Sequence, residues 1–413
     1  IRKPTGGDVN RKCTNLHHGV VINDKFMETI HRATHEQNFD DSWELIDPHS
    51  GEIKKIVSAR TLWVKLLQNR METGEPYLMF EDAVNADLPD FQKRKGLYVN
   101  HSNLCSEITL ATNEERTAVC CLSSVNLEYY DEWSKIPAFI PDLIRMLDNV
   151  LEYFIDHAPT QMEKAKYSAF RERSIGLGAM GFHAYLQRNK ISFESIGAAG
   201  KNHEMFKHIK ERALEETRRL AVERGACPDD DSCEVRNAHL LAIAPNASSS
   251  IICGNTSPSI EPFRANAFTQ KTKSGSFLQK NKYLEQLLTY KNANTDNVWK
   301  EIVANKGSVQ HLDVLTPEEK EVFKTAVEIN QSWVVEHAAE RQQFVCQSQS
   351  VNLFFPPDVN KGELHNVHML AWAKNLKTLY YLRSEAISRA DNVSSQVKRE
   401  IIFEQEDCLA CEG

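Results

Sequence analysis

The sequence predicts an α/β fold. Short strand-like runs alternate with stretches of helical periodicity, and 41 % of the residues are hydrophobic, enough to bury a large core. Residues 15–22 end a polar, Gly-containing opening and read as the first strand. Helical spacing follows over 24–37 and, more clearly, over 57–71, where Val57, Leu62, Val64, Leu66, Leu67 and Met71 recur. Gly74 ends that helix, and Pro76-Tyr77-Leu78-Met79-Phe80 reads as a buried strand. The runs 104–112 and 117–127 predict two strands joined by a charged turn at 113–116.

Farther on, 137–170 and 203–224 predict helices, and Leu240–Ala244 a strand that leads into Pro245-Asn246-Ala247-Ser248-Ser249-Ser250. Residues 264–315 are polar, interrupted and peripheral in character. A helical region over 317–340, a strand over 347–355 and a helix over 361–375 complete the pattern. From about Arg383 onward the chain is polar and charged, which predicts a mobile tail over 384–413 after one body spanning 1–383. No internal repeat or low-complexity tract interrupts this order.

At 413 residues the length allows two or three domains, or one large α/β barrel. The net charge of −8, with no long basic run, argues against a nucleic-acid polymer as partner, although a single nucleotide needs no such charge. No apolar run reaches the ~18 residues that a membrane span requires. Ten cysteines without a leader segment predict a reducing, cytoplasmic setting.

The chemistry concentrates in Ser102-Asn103-Leu104-Cys105-Ser106-Glu107-Ile108. Strand alternation would set Asn103, Cys105 and Glu107 on one side, so that an amide, a thiol and a carboxylate share one space. The same pattern also suits a strand edge with a buried small thiol. Cys120, a hairpin's distance away, could approach that space, with its neighbour Cys121 turned into the packing. Cys408 and Cys411 form a CxxC near the end of the chain; one such pair lacks the second ligand pair of a structural zinc site and suits thiol–disulfide exchange. No metal-ligating set emerges, and His17, His18, Cys227 and Cys233 carry no ligand spacing.

Tyr380-Tyr381 is an adjacent phenol pair, a common feature of β segments and also a candidate for oxidation if its protons have somewhere to go. Gly176-Leu177-Gly178-Ala179-Met180-Gly181 matches GxGxxG but has charged residues before it, so it reads as a tight turn with close helix packing, not a dinucleotide site. Ala247-Ser248-Ser249, after a strand and opening a helix, would offer free N–H groups to a phosphate, or simply cap the helix.

Together these runs resemble the large, catalytic subunit of aerobic class I ribonucleotide reductase. The resemblance rests on Ser102–Glu107, Ala118–Ser123, Pro245–Ser249, Gln347–Asn352, Leu379–Tyr381 and the Cys408/Cys411 pair, with Glu72–Tyr77 and Arg173–Gly178 in support. It implies a fold, the C-terminal half of a ten-stranded α/β barrel with peripheral helices and a flexible C-terminal tail. It also implies an activity, reduction of ribonucleoside diphosphates. Cys105 would become a transient thiyl radical, Glu107 the general base on the 3′-OH, and Asn103 a hydrogen-bond donor to the sugar. Cys120 would be one half of the reducing dithiol, Cys408 and Cys411 its re-reductants, and thioredoxin or glutaredoxin the external source. Tyr380 and Tyr381 would relay the oxidising equivalent from a small subunit carrying a metal-generated tyrosyl radical, and Ala247, Ser248 and Ser249 would hold the diphosphate. The turn Asp47–Gly51 resembles the loop that senses the specificity effector.

Large subunits of that family are nearly twice as long and carry a nucleotide-sensing region, the first half of the barrel and the second dithiol cysteine ahead of these motifs. The expectation is therefore a split subunit whose partner is a separate N-terminal half. Other readings are a cobalamin-dependent or glycyl-radical reductase, a non-catalytic remnant that binds an intact enzyme, and a dithiol oxidoreductase built on Cys408/Cys411.

Overall fold

A computed structural model describes residues 16–272 and 275–384. Cys408, Cys411 and the expected tail, apart from Ser384, lie outside the described residues. The first strand, β1 (Gly19–Ile22), pairs in parallel with β2 (Tyr77–Phe80), from Gly19↔Tyr77 to Ile22↔Phe80. Between them run the helix Asp24–His35, the hairpin Ser42–Ile46/Ile53–Ser58 and the helix Ala59–Thr73. Ser58 caps this last helix by accepting from Thr61 N, and Gly74 closes it at φ 80°, a left-handed cap that a side chain would strain. All four residues of β2 are buried, as befits a strand covered on both faces.

A second parallel array runs the other way. β3 (Leu122–Asn126) pairs with β4 (Gly176–Met180), and bridges Leu177↔Leu241 and Ile243↔Gln349 carry the array onward. β5 (Leu353–Phe355) pairs in parallel with β7 (Leu382–Ser384). The two arrays meet where β6 (Thr378–Leu379) lies antiparallel to Leu78 and Met79 of β2. The expected α/β architecture is present, with two parallel groups of opposite direction. Among the described residues the strands do not close into a complete ring.

Several local expectations change. Residues 104–112 form no strand; they follow an irregular path with a turn at Leu104–Ser106, where Ser106 adopts φ 67°. The GxGxxG run is not a turn but the fully buried strand β4. A Cβ on Gly176 would stand 2.4 Å from Leu122 Cδ2, and one on Gly178 2.5 Å from the Ala242 carbonyl oxygen, so the glycines permit close strand packing. Gly181, at φ 84°, turns the chain into the helix Phe182–Arg188, which is the close helix packing that was expected. Helix 137–170 divides into Phe139–His157 and Glu163–Glu172 around Pro159, and 317–340 into Pro317–Val322 and Gln331–Gln342. Leu240–Ala244 contributes single bridges, not a full strand.

The main core gathers Phe26, Trp63, Phe80, Leu177, Phe182, Phe206 and Leu353 between the arrays and their covering helices. Residues 264–315 are peripheral as expected, yet they pack Leu284, Leu288, Trp299 and Ile302 into a separate core of their own. No helix of the described residues is long and apolar enough to cross a membrane.

Candidate active site

The turn that replaces the expected strand is what assembles the first group. Ser106 N donates to the Asn103 carbonyl at 3.1 Å, and Ile108 N donates to Asn103 Oδ1, also at 3.1 Å. Asn103 therefore folds the loop around itself while its side chain also hydrogen-bonds Glu107. The trio comes together, but by a tight turn with a residue in the left-handed region, not by strand alternation.

The loop is fastened to residues 348–350. Ser348 N donates to the Glu107 carbonyl at 2.8 Å; Ser350 Oγ donates to the Cys105 carbonyl at 2.6 Å and reaches Glu107 Oε2 at 3.4 Å. Cys105 and Glu107 are both buried. Burial raises the Glu107 carboxyl above the usual range, against the pull of hydrogen bonds from Asn103, its own backbone and Ser350. A carboxyl so placed holds its proton more readily than an exposed glutamate, which suits a group that takes up and returns one.

Cys105 packs in one buried cluster with Tyr77 and Tyr380, and Tyr381 lies against it. The Tyr380 phenol is hydrogen-bonded to the Cys105 side chain, and burial raises its pKa strongly. Ring centroids stand 4.4 Å apart for Tyr380–Tyr381, 4.8 Å for Tyr77–Tyr380 and 5.1 Å for Tyr77–Tyr381. Arg383 stacks over Tyr381 at 3.9 Å from its centroid. The buried Arg70 guanidinium donates to the Pro76 carbonyl and, at 3.0 Å, to the Tyr380 carbonyl, tying both tyrosine-bearing strands to the helix Ala59–Thr73.

The small-residue loop lies at the carboxyl ends of β3 and β4, where α/β sheets bind ligands. Asn246 Nδ2 donates to Ser124 Oγ at 3.0 Å and to the Ala179 carbonyl at 3.3 Å. Segment 348–350 joins this loop to the thiol: Ile243 N donates to the Ser348 carbonyl at 3.0 Å, and Ser350 N to the Ile243 carbonyl at 2.9 Å. Ala247 and Ser248 are exposed and Ser249 half-buried. The helix they open is a single turn, Ser249–Ile252, so its dipole is small and exposed N–H and hydroxyl groups remain the attraction for an anion. On the thiol side, a cavity of about 460 Å³ is lined by His17, Tyr77, His101 and Asn103 among others.

Cys120 is exposed just ahead of β3, while Cys121 is buried and donates to the Leu147 carbonyl at 3.5 Å. Burial pushes the Cys121 thiol up to about 11, which suits a packing role. Cys121, Cys227, Cys233, Cys253 and Cys346 are free thiols.

The ribonucleotide reductase barrel-domain family matches residues 1–234 and 231–382. A Frog virus 3 (isolate Goorha) protein described as this reductase's large subunit is 48 % identical over 416 residues, covering 100 % of this chain and 72 % of its own length. The ribonucleoside-diphosphate reductase large subunit of Invertebrate iridescent virus 3 is 43 % identical over 458 residues, covering 99 % of this chain and 73 % of its own. The chain belongs to the ribonucleotide reductase large-subunit family. Among solved structures, the Actinobacillus ureae class Id ribonucleotide reductase alpha subunit superimposes with TM-score 0.79 at 38 % identity, over 91 % of this chain and 66 % of that one. The two viral reductase relatives exceed this chain by less than the near-doubling expected; the Cryptosporidium parvum large chain, 54 % covered, comes close to it.

Within this reductase family frame, sequence reasoning missed three participants. Tyr77 stands in a strand and in a run shared with the family, and its place beside Tyr380 has no signal in spacing. His17 and Glu75 were missed as well: His17 Nδ1 stands 2.6 Å from Glu75 Oε1, 3.3 Å from Tyr77 Oη and 3.4 Å from Tyr381 Oη. The weak cue was the pairing of a polar His17-His18 with the Glu75-Pro76-Tyr77 run.

Proposed function

We propose that this chain supplies the catalytic barrel of a ribonucleoside-diphosphate reductase and performs the thiyl-radical reduction of NDP to dNDP. The observation that carries the reading is the single buried cluster of Cys105 with Tyr77 and Tyr380, flanked by Tyr381 and roofed by Glu107 and Asn103. An oxidising equivalent arriving from a separate small radical subunit passes through Tyr381 and Tyr380 and leaves Cys105 as a thiyl. The sulfur takes the 3′ hydrogen atom of the ribose, Glu107 accepts the 3′-OH proton, and Asn103 holds the sugar hydroxyls. The 2′-OH departs as water. Two electrons come from a dithiol containing Cys120, and the hydrogen atom then returns from Cys105 to C3′.

Cys408 and Cys411 re-reduce the resulting disulfide and are recharged by thioredoxin or glutaredoxin. Ala247, Ser248 and Ser249 hold the diphosphate at the carboxyl ends of β3 and β4. The second dithiol cysteine and further barrel strands come from the N-terminal part of the family's large subunit, in a cytoplasmic, reducing setting. The covered edge this requires is β1, whose Val21 is 41 % exposed at the rim of its sheet.

The test is reconstitution of the full chain with a matching N-terminal half and a radical-carrying small subunit, followed by dNDP formation from NDP. Turnover that Cys105→Ala abolishes supports the reading. Equal turnover with Cys105→Ala would instead make this chain a non-catalytic binder, and turnover driven by adenosylcobalamin alone would point to the cobalamin class.

A further inference from the structure

We propose that His17, backed by Glu75, is the local proton acceptor for the oxidised phenol of Tyr381, and for Tyr77 beside it. The inference deepens the proposed function and rests on it. Glu75 is 1 % exposed, and both residues 17 and 18 turn their imidazoles toward it: His17 Nδ1 to Oε1 at 2.6 Å, His18 Nδ1 to Oε2 at 3.7 Å. The same Nδ1 of His17 lies 3.3 Å from Tyr77 Oη and 3.4 Å from Tyr381 Oη, and the His17 ring is near-parallel to that of Tyr77 at 6.4 Å. One nitrogen is therefore in reach of a buried carboxylate and of two phenols that pack against Tyr380.

Such a pair answers a definite need. A phenol that loses an electron becomes a strong acid, and a neutral tyrosyl forms without a high-energy charged intermediate only if the proton leaves with the electron. Charged phenolate in advance is no alternative here, because burial and the neighbouring phenol and carboxylate all oppose it at Tyr77. The step balances as follows. One electron passes from Tyr381 to a tyrosyl radical on the small subunit, which takes up its own proton there and becomes a phenol. The Tyr381 O–H bond breaks and its proton bonds to the lone pair of His17 Nδ1, the ring being in its Nε2–H form with the proton between Nδ1 and Glu75 resting on Oε1. When the hole moves on, Tyr381 takes a hydrogen atom from Tyr380 and Tyr380 takes one from Cys105, so both phenols are restored and Cys105 is left as a thiyl, while the released proton stays on the His17–Glu75 pair until the hole returns to Tyr381 and the steps reverse. Arg383, stacked on the opposite demand, keeps a positive charge against the Tyr381 ring and so disfavours any cationic phenol, which makes the coupled proton loss more necessary.

His17 is about one-third exposed in its side chain, so it can be replaced without opening the core and an added small base can reach its place. In the reconstituted complex, His17→Ala is expected to lower kcat about 10²-fold, the low end of general-base effects, with NDP affinity unchanged by equilibrium binding. Added imidazole should restore at least a tenth of the loss, and the solvent deuterium isotope effect on radical transfer should rise in the variant. Glu75→Gln should lower kcat in the same sense with the thermal midpoint measured alongside. Retention of kcat within threefold in His17→Ala, or a loss that imidazole does not touch while affinity holds, overturns the proposal. Wild-type complex that makes no dNDP at all would overturn the functional reading itself, and the inference with it.

Discussion

The thiol side and the phosphate side of the site are built on opposite plans. Around Cys105, backbone and side chains are tied down before any ligand arrives: Asn103 closes its own loop, Ser348 and Ser350 hold the Cys105 and Glu107 carbonyls, and Arg70 clamps the strands of Tyr77 and Tyr380. Around Ala247–Ser249 the backbone is exposed and opens a single helical turn, anchored from below by Asn246 on Ser124 and by Asn126 on the Cys253 carbonyl. The difference teaches what each half must do. A radical transfer fails if donor and acceptor drift by a fraction of an ångström, so its groups are fixed by packing and satisfied polar atoms. A diphosphate brings its own charge and oxygen acceptors, so its seat can stay wet until it is filled.

The contrast can be broken outright by Cys105→Ala, which should abolish dNDP formation while leaving the fold and NDP binding intact, as read by product assay, circular dichroism and equilibrium binding. Next in size, Glu107→Gln should lower kcat about 10²- to 10⁴-fold with little change in KM, because it removes a base and leaves the loop's backbone bonds in place. The pH profile sharpens the same point. Glu107 acts as a base only when ionised, and burial has raised its carboxyl above the ordinary 4.5. Activity should therefore be lost on the acid side at a pH above that of an exposed glutamate, and a kcat/KM profile with its acid limb at 4.5 or below would refute the buried-base assignment.

Beneath the phosphate loop, Gly178→Val would push a Cβ to 2.5 Å from the Ala242 backbone oxygen. Overpacking of this kind costs about 1–3 kcal/mol and should lower the thermal midpoint by about 1–3 °C in scanning calorimetry. Smallest, Ser249→Ala should raise KM about fivefold, the worth of one hydrogen bond of about 1 kcal/mol, and leave kcat nearly unchanged. A large fall in kcat instead would mean that the two sides of the site are not separable.

Much of the architecture was legible because it follows from local pattern. Helix Ala59–Thr73 shows its apolar face, its Ser58 cap and its Gly74 stop in one short stretch. Buried strand β2 announces itself as an unbroken apolar run, and Lys361–Ala373 falls where helical spacing put it. What misled was a pattern with two solutions. Gly176–Gly181 reads as a turn because glycine favours turns, yet here the absence of side chains lets Leu122 and the Ala242 backbone pack against a strand. Asn103–Glu107 alternates like a strand, yet Asn103 prefers to bond its own neighbouring backbone and makes a turn.

By itself the sequence determined the alternation of helices and strands, the residue types of the thiol–amide–acid group, and the family in which that group works. Only the tertiary structure decided that Tyr77 joins Tyr380 and Tyr381, that His17 and Glu75 meet those phenols, and that residues 348–350 bind both the thiol loop and the phosphate loop. The physical reason is distance along the chain. Local propensities and caps act within a few residues, whereas these encounters join segments separated by most of the molecule and are fixed by the crossing of two opposed parallel arrays.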